Sequence, residues 1–168
     1  MKEYVFDIET TSLDADVGSV IAIGLKEVNG NEEILFDTNE INVIKDFLSK
    51  IDNTITLIGF NIKKFDIPFL NFRCFVHKIK CSQLKKVKTI DVLEIVKESF
   101  RTSNLKLIMF KKIFGIIDEV ESSNIETIYL EYLKTNDDKF KNEIIDHLRK
   151  DLIACEEVYK RLKEIGIL

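Results

Sequence analysis

The sequence is short of the residues that divide a chain into modules. It holds a single proline, Pro68, and 6 glycines in 168 residues. No Gly/Ser/Pro-rich stretch reads as a linker, and no repeat or shift of composition marks a boundary. One domain over residues 1–168 is the expectation, since 45% hydrophobic residues suffice for one substantial core. No apolar run approaches the about 20 residues that cross a bilayer. The opening Met1-Lys2-Glu3-Tyr4-Val5-Phe6, followed at once by Asp7, is too short and too acidic for a secretory leader. A cytoplasmic location with no membrane contact is expected. The 3 cysteines, Cys74, Cys81 and Cys155, are odd in number and lack C-x-x-C spacing, which argues against a disulfide framework and for reduced thiols. Histidine is rarer still, with His77 and His147 alone, too few for a zinc site built from His and Cys. A net charge of −4 denies the chain any global basic character, so a nucleic-acid contact would need a local patch. One stretch qualifies: between Asp66 and Asp91 no acidic residue occurs, while Arg73, Lys78, Lys80, Lys85, Lys86 and Lys88 do.

What is present is a clear change of period along the chain. Lys2 to Glu9 and Ser19 to Glu27 are β-rich apolar runs, and Asn29-Gly30 turns the chain into a third, Glu32 to Phe36. These predict a three-stranded antiparallel meander. Ile41, Ile44, Phe47, Leu48 and Ile51 then recur at helical spacing behind Asn39, a natural N-cap. Thr54 to Phe60 reads as a strand buried on both faces, the mark of parallel pairing. Helices are predicted at about Phe65 to Lys78, Asp91 to Phe100, Leu105 to Phe114 with Gly115 ending it, Ile125 to Leu133 and Asp138 to Glu164. The pattern is an α/β fold, a mixed sheet flanked by helices on both faces.

The chemistry is carried by carboxylates. Asp7 and Glu9 lie two apart on a strand, so both leave one face while Phe6 and Ile8 leave the other. Adjacent like charges at an internal strand need a counter-charge, which a divalent cation supplies; a water-exposed sheet edge is the alternative. Asp66 follows the apolar strand in Asn61-Ile62-Lys63-Lys64-Phe65-Asp66, near a strand's carboxyl end and the amino end of the next helix, where ligand sites gather. An Asp there also stabilises the helix dipole. His147 and Asp151 are four apart on the last helix and share a face. Oxygen donors in this number implicate magnesium or manganese.

Together these segments resemble the DEDD exonucleases, the DnaQ-like branch of the ribonuclease H-like superfamily. Phe6-Asp7-Ile8-Glu9-Thr10-Thr11 matches a first D-x-E motif, Asn61 to Asp66 a second of the form N-x-x-x-F-D, and His147 with Asp151 a third, His or Tyr before Asp. The style of these segments is similar to the exonuclease domains of family B polymerases and of YprB-like proteins, over nearly the whole chain. The resemblance implies a ribonuclease H-like mixed five-stranded sheet, three antiparallel strands plus parallel ones. It implies a 3′-to-5′ exonuclease that releases nucleoside monophosphates from single-stranded DNA or RNA ends with two Mg2+ or Mn2+ ions roughly 3.5 to 4 Å apart. By the same resemblance Asp7, Glu9, Asp66 and Asp151 hold metal, and His147 joins them as a catalytic residue. Thr10, Thr11, Leu13, Asn61 and Phe65 would contact the terminal nucleotide. His147 stands at the four-residue spacing of the Tyr-type branch, and Asp146 occupies the position a His-type enzyme would use. A structure-specific endonuclease of the same superfamily and a non-catalytic nucleic-acid-binding or polymerase-accessory module are the competing readings. The sequence names no polymerase or repair partner.

Overall fold

The computed structural model describes residues 2–168. Its strands are β1 (Lys2–Thr10), β2 (Val20–Glu27), β3 (Glu32–Phe36), β4 (Ile55–Gly59) and β5 (Lys88–Asp91). The helices are α1 (Glu40–Lys50), α2 (Asp66–Val76), α3 (Gln83–Lys86), α4 (Val92–Ser99), α5 (Leu107–Ile113), α6 (Ile125–Thr135) and α7 (Asp138–Glu164). The strands form one sheet in the order β3-β2-β1-β4-β5. β1 pairs antiparallel with β2 and β2 with β3, whereas β4 runs parallel to both β1 and β5. The expected mixed sheet is therefore present, and its first strand is central. That position removes the water-exposed edge as an account of Asp7 and Glu9.

Both faces of the sheet are covered, which is why β1 and β4 carry apolar residues on each side. Phe6 and Ile8 join α1 and α2 through Ile44, Phe47, Phe69 and Leu70, with the Phe6 and Phe47 rings stacked at 4.9 Å. On the other face Val5 and Ile58 meet α4, α5 and α7 through Val92, Phe110, Leu152 and Tyr159. Full burial of a side chain of this size contributes roughly 1.5–3 kcal/mol, so these two layers fix the helices against the sheet.

Local chemistry sets the ends of the helices. Asn39 Oδ1 accepts from the Ile41 amide at 3.1 Å and Asp137 Oδ1 from that of Lys139 at 3.0 Å, capping α1 and α7. Gly115, at φ +69°, follows α5 in the left-handed conformation that ends helices. β5 and α3 fall in the lysine-rich stretch where the hydrophobic pattern predicted no element. β5 has four residues, with Lys88 on its exposed end, too short and polar to show an apolar period.

Gly24 brings α7 close to the sheet. A Cβ there would meet Leu152 Cδ1 at 2.7 Å and Leu148 Cγ at 3.2 Å. Gly24 is the cross-strand partner of Asp7, so the two share a face and Asp7 lies under the same stretch of α7. Only a residue without a side chain permits that separation.

Candidate active site

The sheet, α2 and α7 converge at the carboxyl end of β1. Asp7 and Glu9 project from β1 on the face that α7 covers. Asp66 opens α2, is 1% exposed and accepts from the Ile8 amide of β1 through Oδ1 at 3.2 Å. The Asp7 carboxyl lies close enough to it for the two to shift one another's ionisation. Glu9, His147 and Asp151 offer donor atoms that all lie within 4.8 Å of one another. His147 Nε2 is 3.5 Å from Asp151 Oδ2 and 3.8 Å from Glu9 Oε1. All five residues that the sequence nominated for catalysis thus meet in one place, drawn from three distant segments. Asp146 points away: it is exposed and pairs with Lys150 at 2.7 Å. His147 is 2% exposed and faces the carboxylates.

The electrostatics are those of acids crowded without enough positive charge. Burial pushes the Asp7 carboxyl well above the usual range, reinforced by Asp66, Asp151 and Glu9. Glu9 is likewise pushed well up, first by burial and then by Asp151, against the opposing pull of Lys111. Asp66 is raised to about 7, chiefly by burial, although contacts with Asp7 and the Ile8 amide favour its charged form. Such a group is a poor anion alone and a good ligand for a divalent ion, which supplies the missing charge.

Two residues unnoticed in the sequence complete the surroundings. Lys111 is 3% exposed and ion-pairs with both Asp118 and Asp151. Its ammonium stays charged: burial alone would lower the pKa, but Asp151 and Asp118 raise it overall. Burial pulls the Asp118 carboxyl upward too, yet Lys111 and His147 hold it below the ordinary value. Asp118 Oδ2 sits 2.8 Å from His147 Nδ1, off the line of an N–H bond, and Ser122 Oγ is 3.1 Å from Nε2. A hint did exist: Lys111 falls in phase with Leu107, Phe110 and Phe114, on the apolar stripe of α5 rather than its wet side. No local pattern singles out Asp118.

A third, Asp91, ends β5 and holds the turn that aims Asp66. Its carboxylate accepts from the amides of Asn61 at 2.9 Å, Lys63 at 3.0 Å and Leu93 at 3.0 Å. Asn61 itself is at φ +72°, a conformation asparagine tolerates better than most residues, and its carbonyl accepts from the Lys64 and Phe65 amides.

The expected nucleotide contacts divide in two. Thr10 Oγ1 donates to the Ser12 carbonyl at 2.7 Å and Thr11 Oγ1 accepts from the Ser19 amide at 2.9 Å, so both hydroxyls brace the loop after β1. Leu13 stands 82% exposed on that loop, and Phe65 faces it across a groove that both line. The basic stretch loses one member. Arg73 is buried, bound to Glu40 and, through Nη1, to the Ala15 carbonyl at 3.0 Å. Lys78, Lys80, Lys85, Lys86 and Lys88 are exposed as expected. The cysteines are free, with Cys74 and Cys155 buried. Among the described residues no helix is long and apolar enough to cross a membrane.

The chain matches a model of the RNase_H superfamily over residues 4–163. It is 29% identical over 177 residues to protein MJ0365 of Methanocaldococcus jannaschii, covering all of this chain and 99% of that one. Among solved structures it is similar to the family B DNA polymerase of the archaeon Pyrobaculum calidifontis, with a TM-score of 0.76 at 18% identity. That match takes in 99% of this chain but 25% of the polymerase, so the chain spans about a quarter of the polymerase and the likeness is one of fold.

Proposed function

Because the chain belongs to the RNase_H superfamily, we propose that it is a metal-dependent nuclease that removes nucleotides from single-stranded 3′ ends of DNA or RNA. One observation carries the reading: Asp7, Glu9, Asp66, His147 and Asp151 converge at the end of a central strand, with three of the carboxyls raised chiefly by burial. The donor set fits hard divalent cations such as Mg2+ or Mn2+, because it is rich in carboxylate oxygen and carries one imidazole.

Asp7, Glu9, Asp66 and Asp151 would hold the ions, with His147 at their border. Bound divalent cations supply charge that neutralises the scissile phosphate and lowers the pKa of water. The protein's own part is positional. Asp118 faces Nδ1, while Nε2, which Ser122 Oγ also approaches, looks toward Glu9 and Asp151, the side on which it would take a proton. Lys111 restrains Asp151 and offsets part of the negative charge. Leu13 and Phe65 offer apolar surface on the two walls of a groove, suited to a terminal base.

The test is a cleavage assay with Mg2+ and Mn2+ on 3′-labelled and 5′-labelled single strands of DNA and RNA. Mononucleotide release from the 3′ label with a shortening ladder from the 5′ label is expected. Cutting of a circular single strand would replace the exonuclease with an endonuclease, and no cleavage of any strand would leave a binding module.

A further inference from the structure

Beyond the groove, α2 presents an apolar face that no other element covers. Phe75 is 78% exposed, Val76 45% and Phe72 38%, and the Phe72 and Phe75 rings lie 6.2 Å apart at an angle of 44°. Exposed aromatic pairs of this kind are uncommon on a surface that needs no partner. The patch lies on the same helix that Asp66 opens. Leu13, Phe65, Pro68, Phe69 and Phe72 line one groove of about 350 Å³, which begins at the residues flanking Asp66 in sequence and reaches Phe72. Phe65 and Phe69 are in ring contact at 5.7 Å, with Phe69 buried in the core and Phe65 partly exposed at the start of the helix. Phe72 and Phe75 are six and nine positions past Asp66, roughly 9 and 13 Å along the axis at about 1.5 Å per residue.

Charge decides what covers this face. Lys64, Lys78 and Lys80 are exposed at its two ends, and no acidic residue lies between Asp66 and Asp91; Asp14 and Asp16 line only the loop wall of the groove. A second copy docked face to face would set these lysines against one another. A polyanion with flat apolar bases matches both features, since stacking on aromatic rings is tolerant of sequence and lysines take the phosphates.

We infer that Phe72 and Phe75 form a stacking track for unpaired bases upstream of the 3′ end, so that the protein grips single-stranded nucleic acid over about three to four nucleotides at a ~3.4 Å step. This rests on the nuclease reading for its direction but not for its measurement. Binding is followed by fluorescence anisotropy in EDTA, with labelled oligothymidylate and oligouridylate of two and eight nucleotides. Phe72→Ala and Phe75→Ala are each expected to weaken the eight-nucleotide strands about tenfold, the double variant about a hundredfold, while Phe75→Trp retains affinity. The two-nucleotide strands, too short to span from the site to Phe75, should lose far less. Equal affinity of wild type and the alanine variants for eight nucleotides overturns the track even if the protein proves to be an exonuclease. A shift of the alanine variants from dimer to monomer in sedimentation, with unchanged strand binding, overturns it in favour of self-association. A tenfold weakening at an unchanged melting temperature excludes misfolding as its cause and supports the track. Length-dependent binding without cleavage of any strand would sustain the track and remove the nuclease instead.

Discussion

Lys111 and Asp151 form a buried ion pair between α5 and α7, and the same ammonium also bonds Asp118. A lysine so enclosed has no water to fall back on, and its partners depend on it equally. Lys111→Met leaves two carboxylates uncompensated beside Glu9. The expected loss is about 3–5 kcal/mol in metal-free protein, measured by urea denaturation in EDTA. Mn2+ should recover part of it, because the ion supplies the charge that the side chain gave. A variant as stable as wild type in EDTA would show that Lys111 is dispensable.

The pH response of the metal-free protein follows from the raised carboxyls. Folded Asp66 keeps its proton to about pH 7, whereas its ordinary value is 3.8. Between these limits folded Asp66 binds more protons than the unfolded residue, so its contribution to stability falls as pH rises from about 4 to about 7. Asp7 and Glu9 shift in the same direction. Metal reverses the preference, since it takes the ionised form, and Mn2+ affinity should climb through the same window. Melting curves in EDTA from pH 4 to 8 check the first claim; Asp66→Asn should flatten the slope.

His147 is the residue on which turnover should depend without metal binding being lost. Its Nε2 faces Glu9 and Asp151, and removal of a positioned base costs about 10²–10⁴ in rate. His147→Ala is expected to fall in that range with an altered pH profile, while Asp151→Asn abolishes cleavage. Unchanged rate and pH profile in His147→Ala would remove it from proton transfer.

Asp91 touches no proposed substrate, yet it holds three amides. Asp91→Ala orphans the turn from Asn61 to Lys63 and should cost about 2–3 kcal/mol, typical for hydrogen bonds to a charged group. Because that turn aims Asp66, cleavage should fall together with the urea midpoint. A variant stable yet fully active would mean the turn holds its own shape.

Much of this was legible, and the reason is periodicity. The meander, the crossover to β4 and the long α7 stripe repeat at two or near 3.6 residues, so Asp7, Glu9, Asp66 and Asp151 could be assigned to elements before any coordinates. Asn39 as cap and Gly115 as terminator were likewise local. Lys111 with Asp118 was not, because their partners are 29 to 40 positions away in α7 and buried pairing is a property of packing. Arg73 misled for the same reason: among lysines it reads as surface, while Glu40, on another helix, draws it inside. β5 is held by its register with β4 rather than by a pattern of its own.

The place of β1 in the sheet has a kinetic side. A strand paired on both edges and covered on both faces can exchange its amide hydrogens only when the whole protein opens. Pairing with both neighbours coincides at Tyr4 and Val5, so slow-exchanging amides should cluster there, and Asp7 and Glu9, kept in register by β2, start just beyond that slow segment.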